Sequence, residues 1–286
     1  MSRLYRRQVL LSVGPAGELG RQWSDLAISF KVGKTQRKRP NRAEIEVTNL
    51  SPDSRAYIEE KDLVVVLQAG YETPPPRLFI GDIAEVTHRR SGTDIITTIE
   101  AGDGEKRFQL GHINESFDSG TTNRQVLRRI AQVSGLGVGH IETIDEIEFV
   151  AGYVASGHIR NVLDELCESV GAQWSIQDGE LQVVVGDNGT NEIAPLLSPD
   201  TGLLGTPEPV KVQGSKAKRN NGLKLRCLLN ARLRPRRYVQ LSSENHVGTY
   251  LVRSVVHTGE NFGPSFHSEL EVTPVDVPAN AVTMVI

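Results

Sequence analysis

The order of apolar and polar positions along this chain changes period twice. Over roughly the first 105 residues, apolar side chains come in short runs or alternate with polar ones, the period of a strand with one buried face. Residues 7–13 (RQVLLSV) and 25–32 (DLAISFKV) read as strands, and 43–48 (AEIEVT) alternates cleanly with Ile45 and Val47 on one face. Between the last two lies a polar, basic stretch, Gly33–Arg42, which ends in Pro40-Asn41 and reads as a loop. Ser51-Pro52-Asp53 predicts a short helix, because a serine hydroxyl can accept from the first free amides and proline suits the first helical position. Leu63–Ala69 (LVVVLQA) predicts a buried strand, which ETPPP at 72–76 cannot continue because proline has no amide to donate. The run LFI before Gly81-Asp82 predicts another strand, and Ala84–His88 with Asp94–Ala101 predicts a hairpin about Arg90–Gly92.

The period then becomes helical. Thr121 or Thr122 can cap a helix reaching about Ser134, with Val126, Leu127, Ile130 and Val133 on one face and Gly135 as its stop. A second helix follows Ser156, carrying the stripe Ile159, Val162, Leu163, Leu166 and Val170 and stopping at Gly171. QWSIQ and ELQVVV flank Asp178-Gly179, a strong hairpin pattern. Residues 187–210 are rich in turn formers and read as an extended connector. Strand character returns in GLKLRCLLN, RYVQLSS, TYLVRSVVHTG and SFHSELEVTP. The expected fold is mainly β with an α/β insert. Its parts are a β domain at 1–104, the insert at 105–190, a connector at 191–210, a second β domain at 211–275 and a tail at 276–286. No residue-level internal repeat is visible.

Charge alters this picture more than composition does. The net charge is −3, which argues against a general nucleic-acid binder, but it is unevenly placed. Arg3–Arg42 is basic, with Lys34, Arg37, Lys38, Arg39 and Arg42 close together. Glu142–Asp200 is acidic, with Arg160 its only Lys or Arg. Lys211–Arg237 is basic and contains no Asp or Glu. Such blocks predict that unlike segments meet, within one chain or between copies. Aromatic residues, at 5%, are sparse for a small-molecule pocket, and Tyr238 is the only aromatic in or beside the second basic span, which disfavours base stacking. A charged protein–protein seam is the better reading of both basic spans. The start of the chain has too short an apolar run for a signal peptide, and no stretch approaches a membrane span.

Candidate chemistry is thin. The seven histidines are scattered, and the two cysteines, Cys167 and Cys227, lack metal-ligand spacing. Glu100, Asp103 and Glu105 are close enough in sequence to suggest the paired carboxylates of a glycoside hydrolase, but solvated acids at a strand end are the simpler reading. Cys167 falls beside the second helical stripe with no neighbouring base and reads as a core residue. Gly135–Gly139 (GLGVG) follows a helix, whereas a dinucleotide fingerprint follows a strand, so it reads as a helix stop and a turn. No catalytic, metal or cofactor-binding residue is assigned.

Several stretches resemble the baseplate hub proteins of tailed phages, including the late control protein D group. They are GKTQRKRPNRAEIEVTNLS at 33–51, LVVVLQAGYE at 63–72 with LFIGDI at 78–83, the boundary Gly102-Asp103-Gly104-Glu105, and LLSPDTGLLGTPEPV at 196–210 followed by GLKLRCLLNARLRP. The resemblance covers about residues 1–275. It implies two tail-tube-like β-barrels flanking the insert, and a homotrimer whose six barrels form a pseudo-sixfold ring. That ring would join a hexameric tail tube protein to a trimeric central spike protein, beside other baseplate and tape-measure components. DNA would meet it only in transit, and it would have no membrane anchor. The implied location is the virion tail baseplate, assembled in the host bacterial cytoplasm, in a contractile tail. Interface residues expected on this basis are Lys34, Arg37, Lys38 and Arg39 in the basic loop, Pro207 and Pro209 in the connector, and Arg232, Arg234, Arg236 and Arg237. The alternatives are a tail-associated peptidoglycan hydrolase and another tail tube or distal tail protein.

Overall fold

A computed structural model describes residues 6–18, 20–36, 40–103, 111–141, 146–186, 188–190, 194–211 and 221–275. They fall into two compact units: Asp103–Asn188 make up most of one, and the flanking Asn41–Gly102 and Gly189 onward, with the N-terminal strands, make up the other.

In the flanking unit, β1 (Gln8–Pro15), β2 (Arg21–Trp23), β3 (Ile28–Thr35) and β4 (Arg42–Thr48) precede α1 (Pro52–Ile58), and β5 (Leu63–Gly70), β6 (Arg77–Ser91) and β7 (Asp94–Gly102) follow it. Ser51 caps α1 by accepting from the Ser54 amide at 3.1 Å, and Pro52 occupies the first turn, as the sequence predicts. The insert then runs β8 (His112–Phe117), β9 (Thr121–Thr122), α2 (Asn123–Val133), β10 (Gly137–Val138), β11 (Glu148–Phe149), β12 (Tyr153–His158), α3 (Ile159–Ser169), β13 (Ala172–Gln177) and β14 (Glu180–Val185). The chain returns as β15 (Leu196–Leu197), β16 (Leu203–Lys211), β17 (Asn221–Leu228), β18 (Tyr238–Ser242), β19 (Val247–Glu260) and β20 (Phe266–Pro274).

One sheet organises the flanking unit, in the order β16-β17-β20-β19-β3-β4-β7-β6-β5-β1-β2, with β15 and β18 branching from β19. Two cores lie on it. The first gathers inward residues of β1 and β3–β7, such as Leu11, Phe30, Ile45, Leu67 and Phe79. The second gathers Leu225, Cys227, Val239, Leu251's neighbour Val252 and Leu270 from the last strands. The cores meet at the antiparallel pairing of β3 with β19, where Phe30 faces Gly259, Val32 faces His257 and Lys34 faces Val255. Any Cβ at Gly259 would lie 2.3 Å from the Phe30 ring, so only glycine fits there. Phe266 packs edge-on against Phe30 and Tyr71, at centroid distances of 6.3 and 5.4 Å. Burial at this spot raises the Tyr71 hydroxyl above its ordinary pKa.

In the insert, α2 and α3 pack their apolar stripes with Trp174, Ile176, Leu181 and Val183 of the β13–β14 hairpin. Thr122 and Gln125 form a reciprocal capping box at the start of α2. Asp178 and Gly179 take φ values of 54° and 80°, as a tight two-residue hairpin turn requires. Arg129 of α2 grips Glu115 of β8 through two nitrogens, at 2.9 and 2.7 Å, which holds that carboxyl below the usual range.

Four sequence expectations differ from the structure. Gly33, Lys34 and Thr35 continue β3 instead of opening a loop; Lys34 takes the inward position after Ile28, Phe30 and Val32 and is fully buried. Half of the expected connector is ladder: β16 pairs with β17, and two extra residues between Leu204 and Glu208 bulge around Pro207. The strand expected at LFI and the one expected at Ala84–His88 are a single strand, β6, which absorbs the irregularity as a bulge between Ile83 and Glu85. Asp103 is no solvated acid: it is fully buried, and its two carboxylate oxygens accept from the amides of Asp178 and of Gly179, the latter at 2.6 Å.

Removing the Asp103 carboxylate leaves two turn amides of the β13–β14 hairpin without an acceptor. Asp103→Ala is expected to destabilise the protein by about 2–4 kcal/mol, with Asp103→Asn in between, measured by chemical denaturation.

Candidate assembly surface

The residues expected at an interface come to rest in very different settings. Arg37, Lys38 and Arg39 lie outside the described residues. Lys34 is buried, as is Pro207 in the bulge of β16, while Pro209 is exposed on the same strand. β16 is the last strand of the sheet, so neither proline interrupts a ladder on its outer side.

The four arginines sit on a segment that runs from the first core to the second. Leu229 and Ala231 insert into the first, and Leu233 into the second. Arg232, between them, is exposed and comes within 3.6 Å of Glu72. Arg234 and Arg237 are half-buried, and Arg237 turns back to donate to the Arg232 carbonyl at 3.0 Å. Arg236 is 3% exposed and holds a left-handed φ of 67°, costly for a side chain with a Cβ. Three backbone bonds pin it: its amide donates to the Val252 carbonyl at 2.9 Å, its carbonyl accepts from the Thr190 amide at 2.8 Å, and the Val252 amide donates to Arg237 at 2.9 Å. Lys34 and Arg236 therefore serve the interior of the flanking unit, and Arg232 is the arginine of this segment that faces outward.

Part of the second basic span is neutralised within the chain. The outward row of β17 faces the outward row of β20, placing Lys224 opposite Glu271 and Arg226 opposite Glu269. The Lys224 ammonium lies 3.1 Å from the Glu269 carboxylate. Such cross-strand pairs fix register. His267 sits beside them, with Arg226 at 3.4 Å. Burial and then the Arg226 charge lower its pKa, and Glu269 only partly opposes them.

Sequence reading missed the exposed apolar residues. Val150 is 83% exposed and Val154 63% in the insert; Phe262 is 74% exposed and Val247 76% in the flanking unit. Val150 falls in a turn two residues ahead of Gly152 and Phe262 in a bend directly ahead of Gly263, where an apolar residue has no strand or helix face to serve. That placement is the available sequence clue. Of the three acids considered as a pair, Glu100 is exposed on β7 opposite Glu44 and Glu85, Asp103 is consumed by the turn amides, and Glu105 lies outside the described residues. Among the described residues, no group of three or more His, Cys, Asp or Glu is placed to hold a metal ion. Both cysteines are buried, and burial pushes the Cys227 thiol up to about 12.

No family model and no curated protein matches the sequence. Solved structures do match. A tail protein from Neisseria meningitidis shares the fold with a TM-score of 0.66 over 95% of this chain and 97% of its own, at 9% identity. The 43 kDa tail protein of prophage MuSo2 from Shewanella oneidensis matches with a TM-score of 0.64 over 94% and 98%, at 11% identity. An E. coli component of the type VI secretion system, described as structurally similar to the T4 bacteriophage tail proteins gp27 and gp5, matches with a TM-score of 0.63 over 92% and 77%, at 13% identity. The chain has the β-rich fold of phage tail proteins, including its insert.

Two measurements check this geometry. The folded chain binds a proton at His267 less readily than the unfolded chain, whose value is about 6.5, so this group's contribution to stability declines as pH falls below that value. Between about pH 7.5 and pH 5.5 the wild type should lose more stability than His267→Gln, read from denaturation midpoints. Neither cysteine should react with a thiol reagent at neutral pH until denaturant is added, because Cys227 is held as a buried thiol and Cys167 is equally enclosed.

Proposed function

We propose that this chain is a structural hub of a phage-type tail baseplate, a ring subunit that joins a tail tube to a central spike. The observation that carries the reading is the paired arrangement of the flanking unit: two β lobes with separate cores, held side by side by one continuous sheet. Three chains of this kind would present six lobes around an axis, enough to match a hexameric tube on one face while the ring keeps threefold symmetry for a trimeric spike on the other. The fold shared with phage tail proteins and with a type VI secretion component supports it. DNA would pass through the ring without being read, and chemistry on the cell wall would belong to other chains.

In this reading each lobe is a tail-tube-like barrel and the insert lies away from the tube. Candidate contacts with neighbouring subunits are the segment around Arg37, Lys38 and Arg39, the exposed Arg232, and the edge strand bearing Pro209. Lys34, Pro207, Arg234, Arg236 and Arg237 would act by shaping these surfaces from within.

The test is electron microscopy of assembled tails carrying a tagged copy of this chain, with light scattering of the isolated protein. Three tags in one ring between tube and spike are expected, with six lobes visible per ring. Six tags per ring, the count of a one-barrel tube or distal tail protein, would overturn the proposal. Arg232→Glu is expected to lower the yield of assembled tails about ten-fold while leaving the melting temperature of the free protein within a few degrees.

A further inference from the structure

Two histidines meet at one end of the small ribbon in the insert. β8 and β12 pair antiparallel, and their register sets His112 directly opposite His158. Ile113 and Ala155 fill the insert core, so strand alternation puts His112, Asn114 and Ser116 on the outer face with Val154, Ser156 and His158. The two imidazole rings have centroids 3.9 Å apart and are tilted by 45°. His158 also stands at the N-cap of α3, and its side chain makes no capping bond there. The Ile159 amide donates to the Gly111 carbonyl at 3.0 Å, which ties the entry to β8 to the first turn of α3. Both rings therefore project from backbone held by a ladder and by a helix start.

A zinc ion holds an imidazole nitrogen at about 2.0–2.1 Å, so two nitrogens on one tetrahedral ion lie about 3.3 Å apart. Directly opposed positions of an antiparallel pair have Cβ atoms about 4.5–5.5 Å apart, and these two rings already touch. Small rotations of the side chains aim one nitrogen of each ring at a shared point. Each ring has two nitrogens, so one can take an ion while the other keeps a hydrogen bond. We propose that His112 and His158 form a bidentate site for a borderline divalent transition-metal ion such as Zn2+, with water completing the coordination.

The donor set decides the class of ion. Imidazole nitrogen suits zinc, nickel and copper, whereas magnesium and calcium require several oxygens. The ladder holds the ligands in place before the ion arrives, which limits the ordering that binding must pay for. Two protein ligands, and the positive end of the α3 dipole beside them, keep the affinity moderate. The ion would clip together two residues far apart in sequence, one at the start of β8 and one at the end of β12. A clip across a long stretch of chain restricts the unfolded state more than a local one does, so metal binding would stabilise the insert.

Calorimetric titration of the untagged full chain tests the site. One Zn2+ per chain is expected to bind with a dissociation constant below about 0.1 mM, and Mg2+ to give no saturable signal. His112→Gln and His158→Gln should each weaken Zn2+ binding at least about ten-fold, while His246→Gln in the flanking unit leaves it unchanged. A second measurement needs no substitution: in the wild type, Zn2+ should protect His112 and His158 from diethyl pyrocarbonate and leave His246 as reactive as before. Zn2+ binding that survives both glutamine substitutions would overturn the proposal, as would no saturable binding or rings equally reactive with and without the ion.

Discussion

The flanking unit depends on one strand changing partners. β19 begins beside β18 in the second lobe and ends beside β3 in the first, while β20 accompanies it along most of its length. Between the part of β19 that pairs with β18 and the part that pairs with β3, its ladder with β20 breaks at Arg253, the extra residue between Val252 and Ser254. Arg253 is 4% exposed, and its guanidinium Nε donates to the Thr273 hydroxyl at 2.8 Å. Next to it, the strained Arg236 turn bonds to Val252 through both backbone groups. The bulge, the turn and the β3 pairing form one joint, and the spacing of the two lobes follows from it.

This joint explains why the basic residues divide as they do. Lys34, Arg236 and Arg253 are buried near the seam, whereas the outward rows of β17 and β20 balance their charges across the ladder. The arginine-rich segment is thereby a stitch between lobes first and a surface second. Alternation of charge along the sequence translates into pairing within the sheet as well as surfaces available to others.

Most of the element order was legible in the sequence because it rests on local chemistry. Ser51-Pro52 starts α1, Thr122 with Gln125 starts α2, and Asp178-Gly179 turns a hairpin, all by contacts within a few residues. What escaped was non-local. Lys34 is polar, so local pattern ends the strand before it, yet β19, more than two hundred residues later, supplies the neighbour that keeps it in the sheet. Pro207 and Pro209 look like a connector until β17 is available to pair with the residues around them. Asp103 looks like a solvated acid because its partners, the amides of Asp178 and Gly179, lie 75 and 76 residues ahead. Of the candidate surface, the sequence reveals the charge and not the exposure, since exposure is decided by which face each strand presents once all its neighbours are in place.

The contribution of Leu229, Ala231 and Phe266 to the first core bears on the order in which the molecule is made. A ribosome delivers β1–β7 long before those three side chains, so the early lobe spends the synthesis of the whole insert with a vacancy in its interior and with β3 lacking a neighbour on one side. The insert, whose core draws only on its own residues, can mature first. Completion of the lobe that begins with β1 is thus deferred until β19 and β20 have been made, and a nascent chain stalled before β19 is the species that chaperones and proteases would encounter.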